Sequence, residues 1–169
     1  VSRVMLKVLL ALLPAIAVYI YFFGIGIAVQ IALGVATALL AESLILKLRV
    51  NLIKPFLYDL SAVLTAVLLA LCLPPTAPWW MIVLGTLFAI VLAKHAFGGL
   101  GHNIFNPAMV GFAVLIIAYP ALMGQWIAPQ GVLAASASMS DQLHLIFMGG
   151  LPQSAYDAIA TATPLDAMK

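Results

Sequence analysis

The sequence of 169 residues is 66% hydrophobic and only 7% charged, with a formal net charge of +2. Soluble domains carry about 25% charged residues because their surface faces water, so this composition excludes a soluble globular protein and predicts an all-α integral membrane protein. The seven basic residues are too scattered for a nucleic-acid-binding surface. The single cysteine, Cys72, excludes an intrachain disulfide and a CxxC metal site.

The first two predicted spans lie in a stretch without charges between Lys7 and Glu42. One crossing needs about 20 residues, so this stretch is long enough for two helices. We place them at about Met5–Phe23 and about Ile27–Leu46, with the break at Gly24-Ile25-Gly26. In the second span, alanines recur at four-residue spacing and predict a face for close helix packing, formed by Ala28, Ala32 and Ala36.

Glu42 is the one carboxylate inside a predicted span. An acid within a membrane is costly and commonly functional, so Glu42 is a candidate coupling-ion or proton site. The alternative is structural. Glu42 lies about one turn from the cytoplasmic end of its span, where it can reach the interface or pair with Lys47.

The third predicted span is short. Asp59 and Ser61 are suitable N-cap residues, and Pro74-Pro75 ends the apolar run. Leu60–Leu73 covers only about 21 Å as a helix, less than the roughly 30 Å hydrocarbon core. This helix is therefore short, begins earlier than its caps suggest, or does not fully cross.

The fourth and fifth spans are marked by aromatic and cap residues. Trp79-Trp80 is typical of an interfacial belt and opens the fourth span, about Trp79–Ala93. The fifth follows the glycine-rich turn Gly98–Gly101, with Asn106 as N-cap and Pro107 as its first residue, and ends near Tyr119-Pro120. Three histidines have neither the spacing nor the neighbours of metal ligands and are expected at polar positions: His95, His102 and His144.

The chain divides into a transmembrane bundle, residues 1–123, and a polar extramembrane loop, residues 124–169, whose apolar patch Leu143–Met148 is expected along the interface. Orientation follows from the basic residues. With a cytoplasmic N-terminus, six of the seven fall on the cytoplasmic side of a bacterial inner membrane: Arg3, Lys7, Lys47, Arg49, Lys54 and Lys94. Five crossings then place residues 124–169 in the periplasm.

Two stretches together resemble a known family. They are Gly101-His102-Asn103-Ile104-Phe105-Asn106-Pro107-Ala108-Met109-Val110-Gly111-Phe112 and Asp157-Ala158-Ile159-Ala160-Thr161-Ala162-Thr163-Pro164-Leu165-Asp166. In this order, after four spans, they resemble the D subunit of the Rnf electron-transport complex. The B subunit of the sodium-translocating NADH:quinone reductase is a close second, and we prefer the Rnf protein because little chain precedes the first span. The resemblance extends along essentially the whole chain, about the first half of such a protein.

The resemblance implies a flavoprotein subunit of an ion-translocating oxidoreductase, without catalytic side chains of its own. It would pass electrons through covalently bound FMN and couple this transfer to Na+ or H+ transport. The implied fold is half of an inverted-repeat bundle similar to urea-channel folds. The implied partners are the other membrane and peripheral subunits of the complex and a flavin transferase. Noncovalent riboflavin is a second flavin that the family allows.

In that family FMN is attached through its phosphate to a threonine, in the motif Asp, two variable residues, Ser or Thr, Gly, Ala, Thr. Asp157, Ala162 and Thr163 match this motif, whereas Ala160 stands in place of Ser or Thr and Thr161 in place of Gly. A following proline favours an extended backbone at Thr163, which presents its hydroxyl. The alternatives are attachment at Thr161 and an unmodified loop threonine.

The Asn106-Pro107-Ala108 sequence also occurs in aquaporins, where it starts half-helices whose positive ends face the pore. The simple interpretation is a capped helix start. The functional interpretation is irregular backbone that lines a cavity within the bundle, with Asn106 and Glu42 on an ion pathway. The rival function is therefore a channel or transporter half without a redox role.

Overall fold

The computed structural model describes residues 2–49, 59–97, 103–130 and 137–150. These ranges contain seven α-helices and no strand: α1 (Ser2–Phe23), α2 (Gly26–Arg49), α3 (Ser61–Cys72), α4 (Trp79–Leu87), α5 (Pro107–Ala118), α6 (Pro120–Met123) and α7 (Met139–Met148). Helix α4 continues directly into a π-helical segment, Phe88–Ala96. The prediction of an all-α membrane protein is confirmed at this level.

Three of the described helices are long and apolar enough to cross a membrane: Ser2–Phe23, Gly26–Leu48 and Trp79–Ala96. Helices α3 and α5 are apolar but have only 12 residues each, which is about 18 Å of helix. Of the three alternatives left open for the third span, the structure shows a short helix that begins at Ser61 and not earlier. The count of five crossings and the similarity to urea-channel folds stay predictions.

The break between the first two helices lies where the sequence predicts it. Gly24 has φ +86°, a left-handed conformation that glycine adopts without steric cost, and α2 begins at Gly26. A Cβ atom on Gly26 would lie 2.5 Å from the carbonyl oxygen of Pro75. The turn therefore requires glycine at one position for its dihedral angle and at the other for its close contact.

The packed face of α2 differs from the predicted one. Ala32 and Ala36 are exposed, so the predicted alanine face is wrong. Helix α2 instead buries a second series of residues at four-residue spacing: Gln30, Gly34, Ala38 and Glu42. The two series are offset by two residues, about 200° around the helix. This second series faces inward because it contains an amide and a carboxylate. Exposing these two groups to lipid would cost more free energy than the packing of alanine methyl groups would gain.

Helices α4 and α5 are in backbone contact at two glycines. A Cβ atom on Gly111 would lie 2.6 Å from the carbonyl oxygen of Gly85, and one on Gly85 would lie 2.7 Å from Cδ1 of Leu115. The side chains of Leu69 and Leu115 are fully buried around this crossing. Small residues allow such close approach of membrane helices, so this crossing depends on the absence of side chains.

Aromatic side chains gather at the end of the bundle that contains the α1–α2 turn. The rings of Trp80 and Tyr119 lie 4.9 Å apart between centroids, and those of Phe23 and Trp126 lie 6.3 Å apart, both edge to face. Trp79, the neighbour of Trp80, is 44% exposed. The interfacial belt that Trp79-Trp80 indicates in the sequence stays a prediction.

The α4–α5 crossing can be tested by adding one methyl group. Gly111→Ala should lower the free energy of unfolding by about 1–3 kcal/mol, because the new Cβ atom overlaps the Gly85 carbonyl oxygen and the helices must separate. The measurement is the thermal unfolding midpoint of the detergent-purified protein. Gly124→Ala is the matched control, since its Cβ atom would meet only ordinary contacts at 3.6 Å and beyond. Equal midpoints for the two variants would contradict this account.

Candidate functional site

A buried ion pair joins α2 to the π-helical segment. Lys94 Nζ donates to Glu42 Oε1, and the two side chains are only 3% and 2% exposed. The same ammonium donates to Ser61 Oγ at 2.6 Å, and His95 Nε2 lies 3.5 Å from Glu42 Oε1. We call these four residues, Glu42, Ser61, Lys94 and His95, the Glu42 cluster. The Lys94 ammonium thereby connects the π-helical segment to both α2 and α3.

The π-helical segment explains how two adjacent polar residues both turn inward. Its hydrogen bonds join residues five apart, so each turn holds more residues than an α-helical turn and neighbouring side chains point in more similar directions. Ala93, Lys94 and His95 are consecutive, and all three are buried. Such segments are rare and frequently occur at functional sites. This one places both Lys94 and His95 beside Glu42.

The start of α3 is shaped around Ser61. Asp59 Oδ1 accepts hydrogen bonds from the Ser61 backbone N–H at 2.7 Å and from its hydroxyl at 2.5 Å. Between them Leu60 has φ 62° and ψ 7°, a left-handed conformation that is strained for a residue other than glycine. The hydrogen bonds therefore run from Asp59 through Ser61 and Lys94 to Glu42.

The predicted caps of α3 are partly corrected by this geometry. Leu60 occupies the N-cap position and makes no side-chain capping bond. Asp59, the residue before this N-cap position, accepts a hydrogen bond from the free backbone N–H of Ser61. Ser61 itself is the first helical residue rather than a cap. Because the Ser61 hydroxyl donates to Asp59, its oxygen lone pairs are left to accept from Lys94.

Glu42 is buried as an intramembrane acid, but its predicted partner is wrong. Lys47 is exposed, and the partner of Glu42 is Lys94. The fourth span does not end near Ala93 but continues to Ala96, which carries Lys94 out of the expected cytoplasmic loop and into the bundle. His95, expected at a polar interface, is likewise buried against Glu42. The apolar run before Lys94 was a signal that this residue could lie inside the bundle, although it did not identify Glu42 as the partner.

Asn106 is an N-cap, as predicted. Its Oδ1 accepts from the Ala108 backbone N–H at 3.0 Å, and Pro107 is the first residue of α5. The side chain is exposed and does not belong to the Glu42 cluster. The glycine-rich turn, together with His102, lies outside the described residues. A pathway that includes both Asn106 and Glu42 therefore stays a prediction.

Helix α7 holds the end of the described chain against the α1–α2 turn. Gln142 is 3% exposed. Its Oε1 accepts from the Gly26 backbone N–H at 2.9 Å and its Nε2 donates to the Ala137 carbonyl oxygen at 3.1 Å. The bond to Gly26 satisfies one of the free N–H groups at the start of α2. Part of the segment predicted as a loop, including His144, is thus a docked helix.

A capping box starts α7. Ser138 Oγ accepts from the Asp141 backbone N–H at 3.2 Å, while Asp141 Oδ2 accepts from the Ser138 hydroxyl at 2.7 Å and from its backbone N–H at 3.0 Å. The hydroxyl bond and then the backbone bond lower the pKa of Asp141, because they favour the carboxylate. The ionised Asp141 side chain therefore stabilises the start of α7 fully at pH values above the ordinary aspartate pKa. This stabilisation is lost as the pH falls through the lowered pKa.

The predicted flavin-attachment residues, Thr163, Asp157 and Ala162, lie outside the described residues. Within the described ranges, no group of three or more His, Cys, Asp or Glu side chains could hold a metal ion. The Glu42 cluster is therefore the principal charged site of the described bundle, and α7 is the element that precedes the predicted flavin segment.

The chain matches, over residues 1–169, the family described as NQR2, RnfD, RnfE. It is 49% identical over 176 residues to the D subunit of the ion-translocating oxidoreductase complex of Escherichia fergusonii, an alignment that covers 99% of this chain and 50% of that protein. The proteins of the same name from Salmonella paratyphi B and Salmonella typhimurium are 48% identical, with the same coverage. The chain spans about half the length of these curated relatives.

The buried pair predicts a strongly non-additive response to substitution. Glu42→Gln and Lys94→Met should each lower the free energy of unfolding by about 3–5 kcal/mol, because each leaves a buried charge without its partner. The double variant should recover much of this loss, since no uncompensated charge remains. Thermal unfolding of the purified protein measures both effects.

Lys47→Met is the matched control for Lys94→Met, because it makes the same change on the exposed surface of α2. It should alter the unfolding midpoint only slightly. If the double variant loses as much free energy of unfolding as the two single variants together, a direct Glu42–Lys94 pair is contradicted.

Proposed function

Because the chain belongs to the NQR2, RnfD, RnfE family, we propose that it forms part of a membrane subunit of an ion-translocating oxidoreductase complex. The observation that carries this proposal is the match along the entire chain to relatives that bear the name of the D subunit of such a complex. The resemblance to the D subunit of the Rnf complex, predicted from two motifs, is confirmed by these findings. Electron transfer and ion movement are proposed for the assembled complex, with its other subunits as partners.

The flavin proposal rests on Thr163. A threonine hydroxyl is the group that a phosphoester requires, and Pro164 favours an extended backbone that presents it. FMN would be attached there by a flavin transferase, with Asp157 and Ala162 in the surrounding motif. When bound, the flavin supplies electron-transfer chemistry, while the protein supplies its position and electrostatic surroundings. Noncovalent riboflavin is a further proposed flavin.

The position of α7 supports attachment outside the cytoplasm. Gln142 docks α7 on the α1–α2 turn, which lies at the opposite end of α2 from Glu42. The basic residues of the first loop, Lys47 and Arg49, follow Glu42 at the other end of the same helix. With those residues on the cytoplasmic side, α7 and the chain that follows it would face the periplasm of a bacterial inner membrane.

The ion-coupling proposal rests on Glu42. A carboxylate held by Lys94 is a site for which a Na+ ion or a proton can compete, because either can replace the ammonium as the neutralising charge. Ser61 Oγ already accepts from Lys94 at 2.6 Å, so the ammonium keeps one partner when it leaves Glu42. Asn106, at the start of α5, is a further proposed pathway residue, although no contact joins it to the Glu42 cluster in the described structure.

The rival function, a channel or transporter half around Asn106-Pro107-Ala108, differs in having no redox role. The Asn106 cap bond to Ala108 is accounted for by helix capping alone, and it therefore favours neither function. Flavin attachment separates the two proposals.

Flavin attachment has a direct test. The full-length protein from cells that contain the transferase should fluoresce in a denaturing gel, and Thr163→Val should abolish this fluorescence because it removes the acceptor oxygen. Thr161→Val, the matched control two residues away, should retain the fluorescence. A wild-type band without fluorescence would reject the flavoprotein proposal, and fluorescence that survives Thr163→Val would move the attachment site elsewhere.

Ion coupling is tested at Glu42. Glu42→Gln should reduce ion transport per electron transferred by about tenfold to 100-fold, because a neutral amide replaces the charged ligand. Transport is measured in vesicles that contain equal amounts of assembled complex, with Na+ and H+ followed separately. Ser43→Ala, on the neighbouring residue of α2, is the control and should transport normally. Unchanged transport by Glu42→Gln would reject the proposed role.

A further inference from the structure

Two fully buried oxygen atoms lack hydrogen-bond partners among the described residues. They are Gln30 Oε1 on α2 and Thr86 Oγ1 on α4, and both residues are 0% exposed. A buried polar atom without a partner is costly and calls for an explanation, such as water or an ion that binds there. Neither oxygen has a role in the Glu42 cluster or in the proposed flavin attachment.

The orientation of the Gln30 amide follows from its neighbour. Gln30 Nε2 donates to the Ala77 carbonyl oxygen at 2.5 Å. A carbonyl oxygen can only accept a hydrogen bond, so the NH2 group must face Ala77 and the amide oxygen is left unpaired. A leucine of similar size would remove the unpaired oxygen, although it would also leave the Ala77 carbonyl oxygen without this donor. The amide is therefore more than a filler of the bundle core.

The two oxygens belong to helices that pack against each other, Gln30 on α2 and Thr86 on α4. On α2, residues that recur every four positions face inward, from Gln30 through Gly34 and Ala38 to Glu42. Gly34 faces Ile82, because a Cβ atom there would lie 3.1 Å from Ile82 Cγ1, and Ala38 shares a buried cluster with Ile90. We call this contact the α2–α4 seam; it is formed by the α2 series, by Ile82 and Thr86 of α4, and by Ile90 of the π-helical segment that continues α4.

Thr86 lies between the two isoleucines of the seam. It follows Ile82 by four residues, so it lies on nearly the same helix face one turn further on, and Ile90 follows it in the π-helical segment. From Gln30 to Glu42 the seam covers about 18 Å of helix axis. Polar levels at Gln30, Thr86 and Glu42 thus alternate with apolar levels, where Ile82 meets Gly34 and Ile90 packs near Ala38.

We propose that the α2–α4 seam is a path for the transported cation and its accompanying water. Gln30 Oε1 and Thr86 Oγ1 are its two intermediate binding oxygens, and Glu42 is its charged end. Carbonyl and hydroxyl oxygens suit a hard cation such as Na+, or a water molecule that carries a proton. This inference rests on the proposed function, since it requires that the complex moves a monovalent cation.

The two isoleucines would serve as apolar constrictions. Each packs near a small residue of α2, Gly34 or Ala38, and in the present structure the seam is closed at these levels. Apolar constrictions can gate a pathway by excluding water. Rotation of the Ile82 and Ile90 side chains would connect the polar levels one at a time, which prevents an uncoupled leak.

The first test removes each oxygen without changing the size of its side chain greatly. Thr86→Val and Gln30→Leu should each lower ion transport per electron transferred by about fivefold in the assembled complex, the equivalent of one lost hydrogen bond. The thermal stability of Thr86→Val should stay the same or rise, because an unpaired polar atom has been removed, whereas that of Gln30→Leu should fall, because the Ala77 carbonyl oxygen loses its donor. Thr37→Val is the matched control, since its hydroxyl is already paired with the Leu33 carbonyl oxygen at 2.8 Å. Normal transport by both seam variants would overturn the proposal.

The second test measures access of water and cations to the seam. Thr86→Cys, in complexes that turn over in native membranes, should react with methanethiosulfonate ethylammonium, a small cationic thiol reagent, and mass spectrometry distinguishes the product at position 86 from any product at the native Cys72. Thr37→Cys, outside the seam, should stay unmodified. Absence of labelling at position 86 during turnover would overturn the proposal.

The two proposals fail in different ways. If Glu42→Gln transports normally, the proposed ion-coupling function fails, whatever is found at the seam. If Glu42→Gln abolishes transport while the seam variants transport normally and Thr86→Cys is not labelled, only the seam proposal fails.

Discussion

A charge in an apolar bundle must be neutralised by another part of the bundle, and in this protein Glu42 imposes that requirement. Its carboxylate lies on α2 with almost no exposure, and water cannot compensate it there. The compensation is supplied by Lys94, so two helices distant in sequence must meet at one level. Ser61 must also be oriented to share the ammonium. The electrostatic requirement of one side chain therefore fixes the relative positions of α2, α3 and the end of the fourth span.

The irregular backbone near the cluster follows from the same requirement. A regular α-helix would separate the directions of Lys94 and His95 more widely, whereas the π-helical segment buries both. Leu60 adopts a left-handed conformation that places Asp59 beside the N–H and the hydroxyl of Ser61. Strained or rare backbone is retained where the surrounding contacts over-determine it. Both deviations occur within residues that bind or precede a member of the Glu42 cluster.

Sequence patterns predict the apolar helices well, because composition and glycine breaks act locally. The break before Gly26, the Asn106 cap and the short third helix were all available from the sequence. The partner of Glu42 was not, because pairing across 52 positions depends on helix rotation, which two equally spaced series on α2 left ambiguous. The four-residue spacing favoured the alanine face of α2 as the packed face. The free-energy cost of leaving Gln30 and Glu42 in lipid instead makes their face the packed one. The docking of Gln142 on Gly26 was hidden for a similar reason, since a lone glutamine in a polar segment has no visible partner.

Helix α2 makes both the contact with Gln142 and the contact with Lys94. Its first residue receives the Gln142 side chain from α7, and its fifth turn holds the carboxylate. An α-helix is stiff along its axis, so a displacement at Gly26 is transmitted to Glu42 rather than absorbed between them. Helix α7 and the Glu42 cluster are therefore joined through the axis of one continuous helix of 24 residues.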